Sequence, residues 1–259
     1  MADEQLMSSP DIFSLEGKRA LITGASGGLG RHFASVLAGR GAEVVLAARR
    51  AQALDEACLE ITAMDGKAQS IVLDIADGES VQRYFEDADA FDIIVNNAGI
   101  SRPGALIDLA AEDWQKVIDV DLTAAFRVCQ ASARKMRSEA RAGTIINVAS
   151  ILGKRVTGGV GAYTAAKAGL VQMTRAMALE WARYGIRVNA LCPGYIATDI
   201  NRDFFDSDAG KALVKRVPMR QLGSLGDLDG PLLLLASDAG RFMTGTEVVA
   251  DGGHLVSGL

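Results

Sequence analysis

Arg19-Ala-Leu-Ile-Thr-Gly24-Ala-Ser-Gly27-Gly28-Leu-Gly30, followed by Arg31-His-Phe-Ala-Ser-Val-Leu-Ala38, reads as an apolar strand running through a glycine-rich turn into a helix. Glycines let the backbone approach a pyrophosphate closely, and the N-terminus of the next helix offers unpaired N–H groups and a positive dipole end. Gly24, Ser26, Gly28, Leu29 and Gly30 are therefore candidate phosphate-binding positions. Glycine is common in this chain, 28 of 259 residues, so a tight turn alone would say little. The strand that precedes it favours a dinucleotide site. The spacing is Gly-x3-Gly-x-Gly rather than Gly-x-Gly-x2-Gly.

Working outward, short apolar runs at Arg19–Thr23, Val44–Ala48, Gln69–Asp74, Asp92–Asn96, Thr144–Ala149, Arg187–Cys192 and Glu247–Ala250 predict about seven strands. Longer segments of 3.6-residue periodicity lie between most of them, which predicts an α/β fold: a doubly wound parallel sheet with helices on both faces. In such sheets ligands bind beyond the carboxyl ends of the strands. No Pro/Ser-rich linker, charge block or repeat divides the chain, so one domain is expected over 15–259, with 1–14 as a flexible tail. A net charge of −5 with mixed signs argues against a nucleic-acid surface. No apolar run reaches the ~18 residues of a membrane span. The opening Met-Ala-Asp-Glu-Gln lacks the features of a signal peptide, and Cys58, Cys129 and Cys192 are scattered; a cytoplasmic protein is expected. His32 and His254 stand far apart, and no metal site is expected.

A second pattern carries chemistry. Ser150, Tyr163 and Lys167 follow Ser-x12-Tyr-x3-Lys. On a helix, Tyr163 and Lys167 project from one face, where an ammonium favours the phenolate and makes the phenol a usable acid/base. Ser150 ends an apolar strand and offers a hydroxyl to a substrate oxygen. Alone, Tyr-x3-Lys is more often a surface pair.

With Thr23–Gly30, Asn96-Asn97-Ala98-Gly99, Ser150…Tyr163…Lys167 and Pro193-Gly194 in order, the chain resembles the classical short-chain dehydrogenase/reductase family, from about residue 15 to Asp251-Gly252-Gly253. The resemblance implies a single-domain Rossmann-type enzyme that transfers a hydride between a nicotinamide cofactor and a carbonyl or secondary alcohol. It implies Tyr163 as general acid/base, Ser150 as hydrogen-bond donor to the substrate, and Lys167 as holder of ribose hydroxyls. It also implies that Asp74 and Ile75 contact adenine and that Asn96, Ala98 and Gly99 line the cofactor cleft. Pro193 and Gly194 would shape the nicotinamide pocket, and Ile196 and Thr198 would contact carboxamide and pyrophosphate. NAD-preferring members carry Asp where this chain has Ala48; Arg49 just after the strand resembles the NADP-preferring group. NADP(H) is favoured, with NAD(H) the alternative; the competing reading is that Arg49 and Arg50 merely solvate a helix start.

The chain departs from the family at its fourth catalytic position. Members have Asn in Val-x-x-Val-Asn-Leu-Thr; this chain has Val117-Ile-Asp-Val-Asp121-Leu-Thr. An ionised Asp only accepts hydrogen bonds and adds a negative charge. Asp121 is the sole support for an alternative, a non-catalytic dinucleotide-binding redox sensor or assembly subunit. The substrate is expected to be a small carbonyl or alcohol compound bound under a lid at 195–219, with Arg102, Lys154 and Arg155 available to an anionic tail. The resemblance extends to 3-oxoacyl-carrier-protein reductases, whose outer helices carry two basic residues; Arg127 fits one position and Leu179 occupies the other. Relatives form dimers or tetramers through two long helices. A homotetramer, or a homodimer, is expected through Leu109–Met136 and Ala162–Tyr184, with Ala165, Ala168, Met173 and Ala176 on the contact face.

Overall fold

The computed structural model describes residues 11–198 and 201–257. Seven parallel strands form one sheet in the order β3-β2-β1-β4-β5-β6-β7. They are β1 Arg19–Thr23, β2 Glu43–Ala48, β3 Lys67–Val72, β4 Ile93–Asn96, β5 Gly143–Val148, β6 Ile186–Pro193 and β7 Glu247–Ala250. All seven predicted strands are present. β3 starts and ends two residues earlier than expected, so Asp74 lies in the loop beyond it.

Alternation along each strand sends side chains to two layers. Ala20 and Ile22 of β1 pack with α1 (Gly28–Ala38), α2 (Ala51–Ala63) and α9 (Asp229–Ala236). Leu21 points the other way, to a core shared by α3 (Gly78–Asp87), α5 (Ala125–Ser138) and α6 (Gly161–Trp181). Burial on both faces explains why the strands read as continuous apolar runs. The strand order reverses between β1 and β4, and there the loops after the two strands diverge and open a cleft.

Two sequence expectations change. The flexible tail expected over 1–14 does not hold for 11–14, where Phe13 packs on the core and the Ile12 carbonyl accepts from Ala239 N–H; residues 1–10 lie outside the described residues. The Phe13 ring and a backbone hydrogen bond anchor this stretch. The expected long helix Leu109–Met136 is α4 (Ala111–Ile118) and α5 joined by a π-helical turn, Asp119–Ala124. π-turns commonly mark functional sites, and this one carries Asp121.

Candidate active site

The cleft at the carboxyl ends of β1 and β4 to β6 has a volume of ≈ 840 Å³ and is lined by the glycine turn, the loops after β2 and β3, and the Ser150, Tyr163 and Lys167 side chains. At its floor the backbones of β1 and β4 are tied together. The Thr23 hydroxyl accepts from the N–H groups of Asn97 and Ala98, both at 3.1 Å, and Asn97 Nδ2 donates to Thr23 O at 3.0 Å. A Cβ on Gly30 would lie 2.5 Å from both Asn97 Nδ2 and Gly24 O, so this packing admits only glycine. The α1 N-terminus beyond it has no side-chain cap and no acidic residue in its first turn. Its free N–H groups thus face the cleft beside Gly24, Ser26, Gly28 and Leu29, which suits a diphosphate.

Arg50, named from sequence only with Arg49 as solvation of a helix start, folds back over the glycine turn. Its Nε and Nη2 donate to Ser26 Oγ at 3.2 and 3.0 Å, and Nη2 also reaches Ser26 O at 3.1 Å. Arg49 lines the cleft beside it, 4.0 Å from Asp74. Asp74, Ile75, Ala98, Gly99, Pro193, Gly194, Ile196 and Thr198 also line the cleft. Asn96 does not. Its amide is buried beneath the cleft and donates to Ala125 O, Cys129 Sγ and Asn147 Oδ1. Strand alternation is the reason: Asn96 points to the α5 face, and Asn97, the next residue, takes the cleft side.

Ser150 follows β5 in extended conformation, nine-tenths buried, and its Oγ accepts from Leu152 N–H at 3.1 Å, which leaves its own proton for a ligand. Tyr163 and Lys167 sit one turn apart on α6, with Lys167 Nζ 5.4 Å from the Tyr163 ring centroid. Lys167 is buried and donates to Val148 O at 3.0 Å. Its second neighbour is Asp121, whose Oδ2 lies 3.4 Å from Nζ while Oδ1 accepts from Ile100 N–H at 2.7 Å. Burial raises the Asp121 pKa, and the Lys167 charge and the Ile100 N–H pull it back. Cys192 also lies in this core, and burial pushes its thiol up to about 11, so it stays an inert neutral group.

On the open side of the cleft stand Arg102, 3.5 Å from Asp113, and Lys116 of α4. Lys116 had no signal in the sequence, because a lysine on an amphipathic helix reads as solvated. Lys154 and Arg155 turn away: Lys154 pairs with Glu247, and Arg155 donates to His254 O and Ser257 Oγ. The expected 195–219 lid contains α7 (Arg202–Asp206) and α8 (Asp208–Val214), with positions 199–200 outside the described residues. Tyr195 packs edge-on against buried Phe205 at 5.7 Å, and His254 lies 5.1 Å behind it. His32 sits 2.6 Å from Asp229, a structural contact. Arg127 donates to Ala76 O at 3.1 Å and Leu179 is exposed on α6.

A family model described as enoyl-(acyl carrier protein) reductase matches residues 24–254. The gluconate 5-dehydrogenase of Gluconobacter oxydans (strain 621H) is 39% identical over 97% of this chain and all of that protein. A crystal structure of a short-chain type dehydrogenase/reductase from Mycobacterium marinum superposes with a TM-score of 0.88 at 39% identity, covering 94% of this chain and 98% of that one. A gluconate 5-dehydrogenase from Burkholderia cenocepacia J2315, solved in complex with NADP and tartrate, gives a TM-score of 0.91 at 35% identity, covering 96% and 99%. With the four ordered motifs, the parallel sheet and the full-length similarity agreeing, the chain belongs to the classical short-chain dehydrogenase/reductase family and is an oxidoreductase of the CH–OH/C=O class.

Proposed function

We propose that the protein is an NADP(H)-dependent dehydrogenase/reductase that interconverts a secondary alcohol and a ketone on a polyhydroxy acid. The observation that carries this reading is one continuous cleft joining the uncapped α1 N-terminus and Arg49/Arg50 to Ser150, Tyr163 and Lys167, with Arg102 and Lys116 on its open side. NADP(H) supplies the hydride acceptor or donor. Tyr163 takes the hydroxyl proton during oxidation and returns it during reduction, and Ser150 donates a hydrogen bond to the same oxygen. Lys167 donates to Val148 O and lies against the Asp121 carboxylate at 3.4 Å, and its remaining N–H groups would hold the cofactor's ribose hydroxyls. Arg102 and Lys116 supply a cationic rim that suits the carboxylate of a sugar acid, and the gluconate dehydrogenases among the relatives support that choice. The 195–219 segment, anchored by Phe205 against Tyr195, serves as the lid.

Steady-state assays with polyhydroxy acids, the matching neutral sugars and 3-oxoacyl thioesters, with NADP and NAD, test this. Turnover is expected with acids and NADP(H), and Tyr163→Phe should lower kcat/KM by about 10²- to 10⁴-fold. Equal or better turnover of neutral sugars or thioesters would refute the acid reading.

We also infer a homotetramer or homodimer. Ala165, Ala168 and Ala176 of α6 are exposed rather than turned to the sheet, and Ala176 with Met173 and Phe126 borders a groove between α5 and α6. Small side chains on exposed helical faces allow close helix packing.

A further inference from the structure

Asp121 is the one site residue whose chemistry differs from the family pattern, and the structure gives it a defined position. Its side chain is fully buried in the π-helical turn between α4 and α5, packed so closely under Gly99 that a Cβ there would lie 2.9 Å from Oδ2. Oδ1 is held by Ile100 N–H at 2.7 Å and Oδ2 faces Lys167 Nζ at 3.4 Å. The carboxylate therefore touches the ammonium directly. The other titratable groups around this pair are Tyr163 on α6, Cys192 on β6 and Lys116 of α4, which lines the same cleft. The buried thiol stays neutral, so Asp121 is the only carboxylate against Lys167 among these groups.

We propose that Asp121 is a positioning residue acting through Lys167: its charge offsets part of the ammonium's field at Tyr163, and so sets a higher working pH for the Tyr163 base than a neutral amide would. The effect follows from order. An isolated Lys167 favours the Tyr163 phenolate; a negative charge 3.4 Å from Nζ weakens that preference. The same carboxylate fixes the Lys167 side chain beneath Tyr163 through a contact shielded from water, where charges interact more strongly than at the surface. This inference rests on Tyr163 being the acid/base of the proposed reaction.

Asp121→Asn keeps the shape and an acceptor for Ile100 N–H while removing the charge. The test is a tyrosinate absorbance titration of the cofactor-free protein, with the Tyr163 component isolated by subtracting Tyr163→Phe in each background, alongside pH profiles of alcohol oxidation. In Asp121→Asn the Tyr163 ionisation midpoint and the acid limb of kcat/KM are both expected to fall by roughly one pH unit. A midpoint that stays or rises overturns the proposal. The titration needs neither cofactor nor substrate, so a fallen midpoint without turnover on any substrate would sink the dehydrogenase reading and leave the charge effect standing. Turnover with an unmoved midpoint would do the reverse. Asp121→Ser carries the same comparison if the Asn variant does not fold. Failure of both to fold would assign Asp121 to architecture and overturn the proposal.

Discussion

Replacing Arg49 and Arg50 singly by Ala should weaken NADPH much more than NADH, and the size of that difference follows from where the two guanidinium groups stand. Both line the cleft at the end of β2, where the ribose 2′ position of a dinucleotide is read in this kind of sheet. Unit charges about 4 Å apart interact by about 4 kcal/mol at the effective dielectric of a protein surface and by about 1 kcal/mol in bulk water. The Arg49 side chain is 69% exposed, and its nearest carboxylate, Asp74, is 47% exposed at 4.0 Å, so solvent screens both. The lower part of the range applies, about 1–2 kcal/mol per cation, which is roughly 5- to 30-fold in Kd. Arg50 is also held by Ser26, so its removal loosens the glycine turn and should add a small loss shared by both cofactors, about 3-fold or less. Fluorescence titration with NADPH and NADH measures both constants. Raising ionic strength from about 0.01 to about 0.15 M should weaken NADPH more than NADH, because the Debye length falls from about 30 to about 8 Å. Equal changes for the two cofactors, or none, would refute the assignment of these arginines to a 2′-phosphate.

Asn147→Ala removes the hub of a buried network in which Asn147 Nδ2 donates to Thr174 Oγ1 at 2.8 Å and Oδ1 accepts from Asn96 Nδ2 at 3.0 Å. It should cost about 2–4 kcal/mol, read as a lower urea midpoint at an unchanged slope. Analytical ultracentrifugation at micromolar protein should show a tetramer or dimer, and Ala168→Glu, placing a charge on the exposed α6 face, should shift it towards monomer with the far-UV spectrum unchanged; a wild-type monomer would remove the oligomer reading.

Much of this protein was legible in its sequence because the signals are local. The β1–turn–α1 passage, the seven apolar runs and Tyr163 with Lys167 each depend on spacing within one element, and periodicity of 2 or 3.6 residues reports such spacing directly. The structure places these as read, except that β3 runs two residues earlier than expected. What sequence left open are questions of direction and meeting. Within Asn96-Asn97, one residue's step of the strand sends the first amide into the core and the second to the cleft. Arg50 reaches Ser26 across 24 positions of chain, and Lys154 and Arg155 are drawn from the cleft by Glu247 and by His254 and Ser257. Whether Asp121 is a spectator or a partner was likewise undetermined by its own helix, since it depends on a π-turn and on Lys167, 46 residues later on α6. Sequence by itself determined the order of elements and the chemical groups available, because backbone preference and burial pattern act along the chain. Only the tertiary structure decided which charges face each other, because Coulomb and hydrogen-bond energies depend on distances in space that the chain's own order does not set.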